Sequence, residues 1–264
     1  IPDAFKVNEI NGVPDGLSEL QVTREICQRA DRDIFSQNYI GAGAYEHFIP
    51  AAIWEITTRG EFYTSYTPYQ AEASQGTLQL IYEYQSMMAS LMGHEVSNAS
   101  LYDGATSLAE AILMAIRVNK NKTSKKILFP RSINPFYSEV VKTITSYQGV
   151  DLILVPFEPE SGSIDKAQLD QYDDITAIVI QQPNFFGSIE DVDEITNWAQ
   201  EKGILVIGLV NPLAMTLIKP PGDWGNSGAD IACGEGQPLG IPLSSGGPYY
   251  GFMTCKKNFI RQLP

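Results

Sequence analysis

Residues that usually carry unaided catalysis are scarce in this chain. Only two histidines, His47 and His94, occur in 264 residues, far apart in sequence. A zinc site would need further ligands at close spacing, and none is found. His94, just ahead of an apolar run, reads as a structural histidine. The three cysteines, Cys27, Cys233 and Cys255, are odd in number and lack metal-like spacing. They read as reduced thiols of a cytoplasmic protein, with Cys233 and Cys255 packed in the core. No G-x-S-x-G elbow and no phosphate-binding P-loop occurs. GAGAYEHF has no third glycine in register and opens no strand–helix unit, so a dinucleotide fingerprint is excluded.

Positive charge and long apolar runs are also in short supply. Lys and Arg number 18 against 31 Asp and Glu, a net charge of −13. Such a chain repels phosphate backbones, which argues against nucleic-acid binding. The longest apolar runs, such as ILVIGLV at 204–210, fall far short of the roughly 20 residues that span a bilayer. No basic-then-apolar leader and no initiator methionine opens the chain. The expectation is a cytoplasmic protein with a processed or trimmed start.

What the chain does have is apolar content and rhythm. At 44% hydrophobic residues it can build a sizeable core. Ser18, with Gln21 three residues on, predicts a capped helix, and the tyrosine-rich stretch 61–76 reads as a long loop. Residues 77–92 repeat apolar side chains at helical spacing. Seven strand-like runs follow: VSNASL (96–101), KILFP (126–130), DLILVPF (151–157), ITAIVIQ (175–181), ILVIGLV (204–210), ADIAC (229–233) and PYYGFMTC (248–255). Helical segments lie between most of them. One opens at a Ser107–Glu110 capping box, one is capped by Asn134 with Pro135 at its first position, a short one covers 165–169, and one opens at a Ser188–Asp191 box and closes at Gly203. Continuous apolar strands separated by helices predict an α/β fold with a mostly parallel sheet covered on both faces. The last strand has no helix before it and is expected to run antiparallel.

Ligands of such sheets bind beyond the carboxyl ends of the strands. The loops to weigh are therefore YDGATS, QPNFFG, NPLAM and GEGQPLGIPLSSGG. Gly104, Ala105 and Thr106 leave backbone N–H groups at a helix start, where a phosphate can sit. The plain alternative is an ordinary capped helix. Asn184 is suited to bonding a ligand ring or simply to closing a turn. The loop EFYTSYTPYQAEASQG sets Tyr66, Thr67, Tyr69 and Gln70 among many aromatic hydroxyls, a composition that favours recognition of a partner or ligand.

Taken together, GAGAYEHFIP, RGEFYTSYTPYQAEASQGTLQLIYEYQSMMASLMG, NASLYDGATSLAEA, QQPNFFGSIED and GEGQPLGIPLSSGGPYYGF resemble the glycine decarboxylase family, the P-protein of the glycine cleavage system. The likeness is closest to subunit 1, the α chain of the two-subunit bacterial form, stopping before its C-terminal domain. The resemblance implies a fold type I, aspartate-aminotransferase-like large domain over residues 61–264, preceded by an arm over 1–60. It also implies pyridoxal phosphate (PLP), with its phosphate at the helix start near Gly104, an acid at the end of the fifth strand, and a Schiff-base lysine after the sixth. Here Asn211 stands at the acid's position and Gln237 at the lysine's. An amide is not a nucleophile, so the site reads as degenerate. The expected division of labour puts PLP on a β subunit, which decarboxylates glycine and passes the aminomethyl group to the lipoyl H-protein. This chain then shapes the shared site, with Tyr45, His47, Tyr66, Thr67, Tyr69 and Gln70 as candidates. Two alternatives stand beside this: a non-catalytic scaffold that stabilises β or docks the carrier, and an independent PLP enzyme using Lys219 or Lys256.

Overall fold

A computed structural model of the chain describes residues 1–7, 12–33, 45–63, 76–119, 123–243 and 247–264. The residues divide into two compact units, Ile1–Gly41 and Ala42–Pro264. The first holds helix α1 (Glu19–Ala30). Ser18 caps it as expected: its hydroxyl accepts from Gln21 N, and its own N–H donates to the Gln21 side chain.

The second unit begins with helices α2 (Ala51–Thr57), α3 (Gly60–Tyr63) and α4 (Gly76–Met92). Helical turns thus occupy both margins of the tyrosine-rich stretch read as a loop, while Tyr66, Thr67, Tyr69 and Gln70 lie outside the described residues. There follow β1 (Val96–Ser97), α5 (Gly104–Val118), β2 (Lys126–Pro130), α6 (Pro135–Thr145), β3 (Asp151–Val155), β4 (Ile175–Gln182), α7 (Val192–Glu201), β5 (Leu205–Val210), β6 (Ile231–Glu235) and β7 (Gly251–Cys255). The strands form one seven-stranded sheet in the order β1-β7-β6-β5-β4-β2-β3. Pairing is parallel from β3 through β6 and antiparallel at β7 and β1. The seven expected strands are present, and the last runs antiparallel.

Local chemistry explains where elements differ from expectation. β1 is short because the side chain of Asn98 takes over its pairing, accepting from Met253 N at 3.0 Å. β3 stops before Pro156, which has no N–H to donate. α5 starts four residues earlier than the Ser107 box implied. Asp103 is its cap, accepting from Thr106 N at 2.7 Å, and Ser107 already lies inside the helix with its hydroxyl on Asp103 O. α7 starts later than the Ser188 box implied. Ser188 donates to Ser161 O at 2.6 Å, and Asp191 caps the helix instead.

Side chains alternate across each strand. Ile178 and Ile180 of β4 face a cluster with Met88, Met92, Ile195, Val206, Trp224 and Phe252, beneath α4 and α7. Ala177 and Val179 face a second cluster with Leu108, Ile112, Phe129, Ile207 and Met253, beneath α5 and α6. Cys233 and Cys255 are both free thiols inside this second cluster. Burial alone pushes the Cys233 thiol up, and burial chiefly raises Cys255 to about 12. Among the described residues no helix is long and apolar enough to cross a membrane.

His94 locks the corner between α4, β6 and β7. Nε2–H donates to Ala229 O at 2.9 Å, since a carbonyl only accepts, and Nδ1 sits 2.8 Å from Thr254 Oγ1. In the neutral ring Nδ1 therefore accepts the threonine proton. Burial, first among the causes, lowers the imidazole pKa from its ordinary 6.5. A depressed histidine pKa means the unfolded chain binds the extra proton more readily, so this stability is full above about pH 6.5 and is lost as pH falls. His94→Ala is expected to cost about 1–3 kcal/mol at neutral pH through unpaired buried groups. The gap between variant and wild type should narrow in urea denaturation run at progressively lower pH.

Candidate functional site

The parallel strands all present their carboxyl ends to one edge of the sheet, and there a cavity of about 360 Å³ opens. β4 contributes Gln181 and the turn Pro183, Asn184 and Phe185; β5 contributes Leu209, Val210 and Asn211. β6 contributes Glu235, followed by Gln237 and Pro238, and α6 contributes Asn134 and Tyr137. Tyr45 and His47, from the irregular segment before α2, complete the wall.

Two groups dominate its electrostatics. Burial, the main cause, raises the Glu235 pKa from its ordinary value, and Asp103 adds to this. Three backbone N–H groups, from Gly104, Gln237 and Tyr250, pull in the other direction. Burial, helped by Glu235 and Asp103, likewise raises the Tyr137 phenol, which therefore stays protonated. His47 donates through Nδ1 to Tyr45 O at 2.9 Å, which leaves Nε2 as the basic nitrogen of the ring. No lysine or arginine lines the cavity among the described residues.

The sequence-derived positions separate into three groups. Tyr45, His47, Asn184, Asn211 and Gln237 meet on this cavity, whereas Gly104, Ala105 and Thr106 do not line it. The four tyrosine-loop positions lie outside the described residues. Asn184 uses its whole amide on the protein: Nδ2 donates to Gly162 O (2.9 Å) and Glu190 Oε1 (2.8 Å), while Oδ1 accepts from Phe186 N and Ser188 N. Asn211 accepts from Leu213 N at 2.9 Å, closing its own turn. Gln237 is buried, and its Nε2 donates to Ile241 O. Sequence reasoning missed Tyr137, Gln181 and the place of Glu235 on the cavity wall. Tyr137 and Gln181 sit in a helix and a strand whose apolar patterns hid them. Glu235 carried one visible signal, a carboxylate ending an otherwise apolar run.

This architecture is that of the large domain of fold type I PLP-dependent enzymes. The chain belongs to the glycine cleavage system P-protein family, which it matches over residues 1–264. It is 57% identical over 266 residues to a probable glycine dehydrogenase (decarboxylating) subunit 1 of Thioalkalivibrio sulfidiphilus, covering all of this chain and 59% of that protein. The subunit 1 of Nitrosomonas europaea is also 57% identical, with 58% of its length covered. The chain therefore spans less than two thirds of the curated relatives it matches. A crystal structure of an inhibitor-bound glycine decarboxylase (P-protein) superposes with a TM-score of 0.87 at 38% identity, over all of this chain and 58% of that one. A sphingosine-1-phosphate lyase of Burkholderia pseudomallei shares the fold alone, with a TM-score of 0.62 at 15% identity over 99% of this chain and 64% of that one.

The residues present do not fit PLP. Gln237 has no amine to bond it, and its amide is already committed to Ile241 O. Asn211 has no acid for the ring nitrogen. At the start of α5, Gly104 N donates to Glu235 Oε2 and Thr106 N to Asp103 Oδ1, so carboxylates stand where a phosphate would need donors. Lys219 and Lys256 do not line the cavity, and each pairs with an aspartate elsewhere, Asp193 and Asp230 respectively. The turn that Asn184 builds is testable. Asn184→Ala should cost about 1–3 kcal/mol by leaving buried partners unpaired. Asn184→Asp sets a second carboxylate against Glu190, so its destabilisation should grow as pH rises through the acidic range, read from urea midpoints.

Proposed function

We propose that this chain is part of subunit 1 of a glycine dehydrogenase (decarboxylating), and that its partner β subunit carries PLP. In this reading the complex decarboxylates glycine and transfers the aminomethyl group to the lipoyl H-protein. Residues 61–264 supply the large domain and residues 1–60 an arm. The observation that carries the reading is Gln237: a buried, internally bonded amide stands at the head of the loop after β6, inside a cavity that keeps its shape without a nucleophile.

On this chain, Tyr45 and His47 are the described candidates for work at the shared site, and Tyr66, Thr67, Tyr69 and Gln70 are candidates outside the described residues. His47 is fixed by its bond to Tyr45 O and keeps Nε2 available to hold or pass a proton, or to orient a carboxylate. The competing scaffold reading draws on the exposed aromatic residues Tyr102 and Phe136, which flank the same edge at the starts of α5 and α6. Apolar surface of this kind suits an interface.

Borohydride reduction of the full-length subunits mixed with PLP, followed by peptide mass spectrometry, separates the possibilities. The expected adduct lies on the partner alone; an adduct on Lys219 or Lys256 would overturn the assignment. His47→Ala and Tyr66→Phe, each assayed with the partner, should lower glycine decarboxylation about 100-fold or more, within the range for proton-transfer residues. Assembly measured by sedimentation should be unchanged. Loss of assembly with an intact intrinsic rate would favour the scaffold.

A further inference from the structure

Glu235 ends β6 on the cavity wall, yet its carboxylate is already occupied. Three backbone N–H groups from three separate segments converge on it. Gly104 N, in the first turn of α5, reaches Oε2 at 2.8 Å. Gln237 N reaches Oε1 at 3.0 Å, and Tyr250 N, just before β7, reaches it at 3.2 Å. Convergent amides at a helix N-terminus form an anion seat. In this chain the anion is a side chain.

Packing around the seat agrees. A β-carbon at Gly104 would lie 2.8 Å from Glu235 N, 2.9 Å from Glu235 Cβ and 2.5 Å from the Tyr137 hydroxyl. One at Gly251 would lie 2.2 Å from Asp103 O. The first turn of α5 is therefore pressed directly onto β6 and β7, which holds the Glu235 carboxylate against its first N–H group. Charge agrees as well. Asp103 caps the same turn, so an incoming phosphate would meet two carboxylates and, among the described lining residues, no lysine or arginine.

We propose that Glu235 is a built-in anion that fills the seat at the start of α5 and makes this chain's cavity refuse phosphate-bearing ligands, PLP among them. The proposal deepens the functional reading above and rests on it for the relevance of PLP. It goes further in assigning the refusal to one residue and not to the missing amine.

The test uses the full-length polypeptide with inorganic phosphate and acetate as probes, at ionic strength held constant with chloride. Wild type should show no phosphate-specific rise in thermal midpoint and no ³¹P line broadening. Glu235→Ala should melt lower in chloride, regain most of that loss in acetate or phosphate, and broaden the ³¹P line. Glu235→Asp keeps the charge and should remain unresponsive to phosphate. In wild type, the amide resonances of Gly104, Gln237 and Tyr250 should shift together in a single pH titration. Independent or absent shifts would overturn the proposal, and this measurement decides the matter if Glu235→Ala fails to fold. A folded Glu235→Ala variant no more responsive than wild type would overturn it, as would a wild type that binds phosphate. An adduct confined to the partner together with an unresponsive Glu235→Ala would sink this proposal and leave the functional reading standing.

Discussion

A sheet covered on both faces has only its ends left for function. Here α4 and α7 close one face and α5 and α6 the other, and Trp224 and Phe129 are fully buried on opposite sides. Parallel pairing from β3 to β6 then points every free carboxyl end the same way. The turns after β4, β5 and β6 have nowhere to go except around a common hollow. That constraint places Asn184, Asn211 and Gln237 on one cavity although they are spread along the sequence. It also explains why the cavity stands without a lysine or arginine in its described lining. Its walls are the ends of a core that must be built in any case.

Much of the framework was legible in advance because burial on two faces leaves a strong trace. Apolar runs such as ITAIVIQ can be satisfied only inside a sandwich of helices, and the missing helix before GFMTC pointed to the antiparallel strand. Helix starts were harder. Ser107 and Ser188 each head a plausible capping box, but the hydroxyl of Ser107 bonds back to Asp103 O and that of Ser188 bonds to Ser161 O. A carboxylate, Asp103 or Asp191, takes each cap. Sequence spacing shows which residues can cap and not which neighbour competes for the hydroxyl. Short helices α2 and α3 left little periodicity to read.

The candidate site was legible in its absences and opaque in its contacts. Gln237 and Asn211 were visible as amides at positions where the family resemblance implied a lysine and an acid. That Asn184 is consumed by its own turn, or that Glu190 anchors that turn from beneath through Ser132, Ile164 and Asn184, depends on tertiary contacts of 22 to 58 residues' separation and on short-range geometry that no pattern encodes. Glu190 is buried, and burial raises its pKa despite those three donors. The loop after β4 is thus held by a buried, hydrogen-bonded carboxylate and not by apolar packing alone.

The departures from a cofactor site differ in physical kind, and that bears on how the chain can be understood. In the proposed reading, Gln237 stands where a nucleophile is expected, Asn211 offers no charge for a ring nitrogen, and Glu235 supplies a charge where a phosphate would require donors. The first two leave a cavity able to hold something else; the third changes which sign of ligand can approach α5. Each amide is also reused. Gln237 ties the loop to Ile241 O and Asn211 orders the turn to Leu213, so both amides stabilise the loops that carry them. Buried polar groups persist only when bonded. A loop whose polar groups are satisfied internally is held in shape, and the cavity wall with it.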